Sequence, residues 1–248
     1  SCKRGSGLCW RNEKNTGGGI HIGKRMFSPE ESEMVEQYIR QVQTNGQHKG
    51  GEKVGAIVMN CNPMTKGHLH LIETARKSVD YLYVFVVEED RSDIPFAIRY
   101  AMVRAQTKEM DDVCVSSSGK FILSYETLPL YFEKAEKQEA VLDATGDLQI
   151  FCQYIAPRLG ITKRFVGEEP TDNVTRQYNE EMKRILPYYG MELIEIPRVK
   201  QGGQYVSASA VRKLAEKGDR EAVQRLVPKE AFQVLAEKYA DYLRGEKS

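Results

Sequence analysis

Two short, almost wholly apolar runs, Val54–Asn60 (VGAIVMN) and Tyr81–Val87 (YLYVFVV), constrain this chain more than any other feature. Each has strand length, and an all-apolar strand must be covered on both faces. Between them Gly67–Ser78 carries helical spacing. The alternation continues with helix at Pro95–Glu109, strand at Val113–Ser116, helix at Asp147–Leu159, strand at Arg164–Gly167, helix at Asp172–Leu186 and strand at Glu192–Ile196. Two or three helices are expected from Ser209 onward. Repeated β–α alternation predicts an α/β fold, a doubly wound parallel sheet with C-terminal helices, whose ligand site lies beyond the strand C-termini.

The first 53 residues read differently and are expected to form a short N-terminal extension ahead of a main domain at 54–248. Residues 1–25 lack a sustained apolar period. Ser28-Pro29-Glu30-Glu31 is a well-formed helix start, with a capping Ser, Pro at the first helical position and Glu three residues after the cap. Met34, Val35, Tyr38, Ile39 and Val42 then share one helical face, and Thr44–Lys53 is polar and glycine-bearing, as a linker would be. With 36 basic and 35 acidic residues the net charge is +1, so bulk electrostatics offers no case for nucleic acid or an anionic membrane. No apolar stretch approaches the roughly 20 residues of a membrane helix. Five scattered cysteines without a CxxC pair, and no secretory signal pattern, predict a reducing, cytoplasmic setting.

The loop after the first strand, Asn60-Cys61-Asn62-Pro63-Met64-Thr65-Lys66-Gly67-His68, runs from a strand C-terminus straight into a helix. Such a junction offers unpaired N–H groups and a positive helix end to a phosphate. Pro63 fixes the turn, and Gly67 allows close backbone approach. His68 shares the apolar face of its helix with Leu71, Ile72, Ala75 and Val79, at the inner edge of the crevice. His70 falls on the polar face. Far along the chain, Ser207-Ala208-Ser209-Ala210-Val211-Arg212 opens another helix, with Ser209 as the expected cap and Arg212 in the first turn. A cation there opposes the helix dipole by roughly 0.3–1 kcal/mol, which suits either an anion held between Arg212 and the N–H groups or a surface carboxylate partner.

The first segment resembles the T/HxGH signature of the nucleotidyltransferase superfamily, whose sheets are Rossmann-like. VSASxVR resembles its second signature, I-S-x-[ST]-x-x-R. The match narrows over residues 54–215. There GAIVMNCNPMTKGHLHLIE, VFVVEEDRSDIPFAIRYAMVRAQTKEMDDV, LQIFCQYIAPRLGITKRFVGEEPTDNVTRQYN and EIPRVKQGGQYVSASAVRKL resemble the C-terminal domain of citrate lyase ligase. Thr65 in place of a first His, and Asn62 before the Pro, are normal in that family.

The resemblance implies an enzyme, an ATP-dependent acid–thiol ligase of nucleotidyltransferase type. It would adenylylate acetate, releasing pyrophosphate, and pass the acetyl group to the prosthetic-group thiol of the citrate lyase acyl carrier subunit. Mg²⁺ would accompany ATP, held by phosphates and water. Carried over by position, Thr65, His68 and Arg212 act in catalysis on the phosphates, with Asn60, Asn62, Gly67, Ser207 and Ser209 as further nucleotide contacts. Arg99, in an F-x-x-R-x-x-M-V helix, either reaches the crevice or forms a helix-surface ion pair. Gly167 and Glu168, in a G-x-E-P loop, fall near adenine or ribose. Full-length ligases carry an acetyltransferase-like domain ahead of this one, which residues 1–53 do not resemble. The chain is therefore read as a fragment of something longer or as a relative with another acceptor. An adenylyl- or cytidylyltransferase acting on a different small acceptor, and a nucleotide-binding domain without turnover, are the alternatives.

The remaining candidates read as structural. Cys61 is most simply a small buried residue rather than a nucleophile. His21, His48, His68 and His70 form no metal-ligand spacing, and His68 and His70 at i, i+2 diverge on a helix. The Glu88-Glu89-Asp90 run reads as a solvated loop, Gly17–Gly19 lacks a strand–helix context, and Tyr188, Tyr189, Tyr239 and Tyr242 read as packing residues.

Overall fold

The computed structural model describes residues 26–46, 53–89, 91–133, 141–170 and 172–245. Cys2, Cys9, Gly17–Gly19, His21, His48 and Asp90 lie outside the described residues.

Five strands, β1 (Val54–Met59), β2 (Tyr81–Val86), β3 (Val113–Ser117), β4 (Ile161–Gly167) and β5 (Glu192–Ile196), form one sheet in the order β3-β2-β1-β4-β5. All four pairings are parallel. The chain starts in the middle, winds one way to β3, then returns past β1 to β4 and β5. The direction of winding therefore reverses between β1 and β4, and the crevice opens at their C-terminal ends.

Side-chain alternation divides the interior in two. Ala56, Tyr81, Tyr83, Phe85 and Ile161 face one layer, which includes α1 (Pro29–Asn45), α5 (Thr145–Ile150), α6 (Ala156–Leu159) and α7 (Asn173–Ile185). Ile57, Met59, Leu82, Val84 and Phe165 face the other. That layer holds α2 (Lys66–Ala75), α3 (Phe96–Thr107), α8 (Ala208–Glu216), α9 (Arg220–Leu226), α10 (Lys229–Lys238) and α11 (Ala240–Leu243). The one remaining α-helix is the short α4 (Pro129–Phe132). Gly55 is required by packing, since a Cβ there would meet the Phe165 ring at 2.7 Å.

Several elements differ from the sequence reading. The segment expected as one helix from Asp147 is broken, with a π-helical stretch at Phe151–Ile155 between α5 and α6. Pro157 is the physical reason: it lacks an N–H and its ring would crowd the carbonyl four residues back, so the coil widens just before it. The C-terminal region carries four helices rather than two or three, the first starting at Ala208. A small antiparallel hairpin, β6 (Lys200–Gln201) with β7 (Gln204–Tyr205), precedes them. It is too short for period-2 alternation to reveal.

α1 keeps the capping box read from the sequence. The Glu31 N–H donates to the Ser28 Oγ at 3.1 Å, and the Ser28 N–H donates to Glu31 Oε2 at 2.8 Å. Its Val35, Tyr38, Ile39 and Val42 are buried in the same cluster as the sheet, and the Tyr38 hydroxyl donates to the Ser117 carbonyl at 2.8 Å. Met34, on the same predicted face, is partly exposed at 39%. Because α1 shares this core, Ile39→Ala should lower the unfolding free energy by about 2–5 kcal/mol within a single cooperative urea transition. A separate early transition for α1, with the sheet intact, would contradict that packing.

Candidate active site

The crevice is built around the β1–α2 loop. Thr65 caps α2 with extended backbone. His68, three residues on, turns its ring back so that Nδ1 accepts the Thr65 N–H at 2.9 Å, with the Thr65 hydroxyl at 2.9 Å from the same nitrogen. His68 thus fills the role that Glu or Gln plays in an ordinary capping box. A backbone N–H can only donate, so Nδ1 is the acceptor and the proton of the neutral ring sits on Nε2. Burial, followed by the positive charge of Arg198, pushes the imidazole down to about 4. Near pH 7 His68 is therefore a neutral donor with its Nε2–H unused by the cap.

The rest of the loop is held from below and from the side. Cys61 is buried with φ 53, a left-handed conformation uncommon outside glycine, and Asn62–Pro63 is cis. Burial pushes the Cys61 thiol up to about 12, which leaves it protonated and unreactive. Beneath it lies Arg99, fully buried. Its guanidinium donates to the carbonyls of Ile94 (2.8 Å), Asn60 (2.7 Å), Val87 (2.9 Å) and Glu89 (2.7 Å), and to Asn60 Oδ1 at 2.9 Å. Arg99 is no helix-surface ion pair: it is an interior cation that ties the ends of β1 and β2 together. Periodicity could not separate these outcomes, because the carbonyls of Ile94, Asn60, Val87 and Glu89 that it binds carry no sequence signal.

The second segment meets the first. The α8 cap is Ser207, not Ser209: Ser207 Oγ accepts the Ala210 N–H at 3.2 Å and lies 3.1 Å from Ser209 Oγ. Both serines suit a cap, but capping at Ser207 puts buried valines, Val206 and Val211, at the two staple positions on either side of the cap. Arg212 accordingly falls in the second turn. Its Nη1 donates to the Asn62 carbonyl at 2.7 Å, across 150 residues of chain, and its Nε pairs with Asp93 Oδ2 at 3.2 Å. The same Asp93 oxygen accepts Asn62 Nδ2–H at 3.0 Å, and Asn62 Oδ1 accepts the Ile94 N–H at 3.1 Å. Gly67 completes the junction. A Cβ there would stand 3.2 Å from the Val206 carbonyl, so the close approach this glycine permits is that of the second segment's backbone.

Gly167 and Glu168 lie at the C-terminus of β4, across the winding reversal from β1. Open space stands where a Gly167 side chain would be, and Glu168 is exposed with its N–H on the Ile196 carbonyl at 3.0 Å. The more tightly held neighbour is Glu169, which bonds the Arg198 guanidinium and accepts the Asp172 N–H at 2.9 Å. Asp93 and Arg198 were missed by the sequence reading, and Glu169 was placed only as part of the G-x-E-P loop. Arg198 follows the C-terminus of β5 by two positions, which is a usable signal, whereas Asp93 lies seven positions after β2. Tyr239 is likewise more than packing, since its hydroxyl donates to the Asp93 carbonyl at 3.3 Å while its ring stacks on Tyr242. Tyr188 is exposed at 55% and packs little.

Glu88 is exposed, as the solvated reading expects, and its carboxylate accepts from the Ser117 hydroxyl across the ends of β2 and β3. Among the described residues no cluster of three His, Cys, Asp or Glu side chains could hold a metal ion, and no helix is long and apolar enough to cross a membrane.

Two outcomes follow from this geometry. His68 should show no titration between pH 5 and 8 in an NMR pH series. Its folded pKa lies below the unfolded value, so the unfolded chain binds the extra proton first, and stability should fall as pH drops from about 6.5 toward 4. A midpoint near 6.5 in the folded protein would contradict the buried cap. Arg99→Met should cost about 3 kcal/mol or more in urea unfolding, because it strands buried carbonyls. A loss under about 1 kcal/mol would mean that they find other donors.

The model of the citrate lyase ligase C-terminal domain matches residues 54–235. The [citrate [pro-3S]-lyase] ligase of Escherichia coli (strain K12) is 42% identical over 183 residues, covering 72% of this chain and 52% of its own. That of Klebsiella pneumoniae is 38% identical over 200 residues, covering 79% and 58%. The chain thus spans about half the length of the curated relatives it matches. Among solved structures, Thermotoga maritima TmcAL bound with alpha-thio ATP has a TM-score of 0.45 at 17% identity, covering 76% of this chain and 56% of that one. A nicotinate-nucleotide adenylyltransferase structure from Vibrio parahaemolyticus, titled putative, has a TM-score of 0.47 at 17% identity, covering 79% and 96%. The match over residues 54–235, with relatives this similar across most of the chain, makes it a member of the citrate lyase ligase C-terminal domain family.

Proposed function

We propose that this domain adenylylates a small carboxylic acid, acetate, with ATP, and that the acetyl group then passes to a thiol on the citrate lyase acyl carrier subunit. One observation carries the reading: Arg212 of α8 bonds the loop that ends in the Thr65–His68 cap, so two phosphate-suited helix starts meet at the winding reversal of the sheet. Thr65, Gly67 and His68 at the α2 start, and Ser207, Ser209 and Arg212 at the α8 start, are the groups we assign to the triphosphate. Asn60, Asn62 and Arg99 act one layer below, holding the loop in shape. Gly167 and Glu168 border the nucleoside end.

In the first step a carboxylate oxygen attacks the α-phosphorus, forming the acyl–phosphate bond. The bond from the α-phosphorus to the bridging oxygen breaks, and pyrophosphate leaves with the electron pair. No protein nucleophile takes part, which fits a β1–α2 loop whose thiol, Cys61, is buried and protonated. His68 Nε2–H donates to a non-bridging phosphoryl oxygen as charge accumulates there, and being neutral it costs no solvation of an imidazolium. Arg212 Nη2 has no acceptor among the described residues and is free to hold the departing pyrophosphate. In the second step a thiolate attacks the acetyl carbonyl carbon and AMP leaves.

Mg²⁺ supplies charge neutralisation on the phosphates when ATP binds, and it would be carried by phosphate oxygens and water, since the described residues offer no carboxylate cage. The cysteines Cys61, Cys114 and Cys152 are buried free thiols, in keeping with a reducing cytoplasm.

Labelled pyrophosphate should exchange into ATP when acetate is present, and His68→Ala should slow that exchange by about 10²-fold or more. Exchange that requires a phosphorylated acceptor instead of acetate would make this an adenylyltransferase of another specificity. Exchange lowered less than about threefold by His68→Ala would remove that residue from the chemistry.

A further inference from the structure

We propose that Arg198 is the second cation of the nucleotide site, binding the α-phosphate end as Arg212 binds the pyrophosphate end. This rests on the nucleotide-binding reading above.

Arg198 follows β5 by two residues, at the C-terminal edge of the sheet where the crevice opens. The next residue, Val199, accepts the Val206 N–H at 3.1 Å, and the Val206 carbonyl is the group packed against Gly67. The backbone carrying Arg198 is therefore pinned to the first turn of α2, beside His68. The Arg198 side chain is 24% exposed and is anchored through Nη2 to Glu169, whose own side chain is only 6% exposed. Glu169 is fixed in turn by the Asp172 N–H at 2.9 Å. Among the described residues, Arg198 Nε and Nη1 have no acceptor. A carboxylate thus grips one nitrogen of the guanidinium and leaves the other donors available, an arrangement that presents a fork to an anion.

Position decides which anion. By strand order, β2 and the Asp93 loop lie on one side of β1, while β4 and β5 lie on the other. Arg212 is bound to Asn62 and Asp93 on the β2 side, and Arg198 is bound to Glu169 on the β5 side. His68, at the α2 start against which the Val206 carbonyl packs, is close enough to Arg198 to feel its charge. An extended nucleotide that places its leaving pyrophosphate at Arg212 brings its α-phosphate past His68 toward Arg198. Glu169, which touches no substrate, is a positioning residue for that contact.

Calorimetric titration of the full chain with AMP and, separately, with inorganic pyrophosphate tests the assignment, because AMP carries only the α-phosphate. Arg198→Ala should weaken AMP about tenfold or more and pyrophosphate less than threefold, while Arg212→Ala should show the reverse preference. Glu169→Gln, which keeps the cation but loosens its anchor, should weaken AMP about threefold and leave pyrophosphate unchanged. Arg198→Lys should recover part of the AMP affinity. In the unliganded protein Arg198→Gln should move the His68 NMR midpoint upward from about 4, since a neighbouring positive charge is gone.

Arg198→Ala that leaves AMP binding intact, or weakens both ligands equally in a protein with wild-type melting, would overturn the assignment. So would Glu169→Gln with wild-type AMP affinity, which keeps the test decisive even where Arg198→Ala fails to fold. Wild-type protein that binds neither AMP nor pyrophosphate would instead sink the nucleotide reading itself, and this inference with it.

Discussion

The bond from Arg212 to the Asn62 carbonyl is the constraint on which the site depends. The β1–α2 loop leaves the sheet at the winding reversal and has no ladder to satisfy its backbone, so its shape must be imposed from outside. Two arginines impose it. Arg99, from α3, collects the carbonyls of Asn60, Val87, Glu89 and Ile94 beneath the loop, and Arg212, from α8, takes the Asn62 carbonyl beside it. Charged donors to neutral carbonyls make stronger bonds than amide donors would. Asp93 then locks the arrangement by accepting from both Asn62 and Arg212. The loop holds Cys61 at positive φ because this network fixes the residues on both sides of it.

The fold was legible because strands buried on both faces write themselves as apolar runs. VGAIVM and YLYVFV are β1 and β2 almost to the residue. Parallel order followed from the helices between them. Of the site, the two helix starts were legible, since a Thr or Ser cap at a strand–helix junction is a local pattern. What stayed hidden was set by distant partners. The choice of Ser207 over Ser209 depends on where Val206 and Val211 pack, and the interior place of Arg99 depends on carbonyls of other segments. Asp93 and Arg198 sit in loops that carry no cap or spacing signal until the strand order brings them over the crevice. The π-helical stretch was legible in principle from Pro157, whose missing N–H forbids a regular helix there.

The electrostatic design follows from where charge is kept and where it is excluded. The crevice has a cation at either end, Arg212 and Arg198, each partly neutralised by a carboxylate, Asp93 and Glu169. Between them the group nearest the α2 start is an imidazole that burial holds neutral. A third full charge there would raise the cost of burying the site without nucleotide. It would also bind substrate and transition state alike, which lowers KM without raising kcat. Under the proposed chemistry, a neutral Nε2–H would strengthen its bond as the phosphoryl oxygens gain charge. Its direction is fixed beforehand because Nδ1 is occupied by the Thr65 N–H.

The same cap sets what its first residue must supply. The first residue of the motif need only end the strand-like approach with extended backbone and offer its N–H to His68, and Thr65 does both with φ -122 and ψ 166. A β-branched residue favours that extended conformation. Because a backbone N–H can only donate, the Thr65 N–H on Nδ1 excludes the tautomer that would aim a bare lone pair at an anion, and the Thr65 hydroxyl lies 2.9 Å from the same nitrogen. At the last position, a ring with two nitrogens can accept the cap bond on Nδ1 and still keep an N–H donor on Nε2.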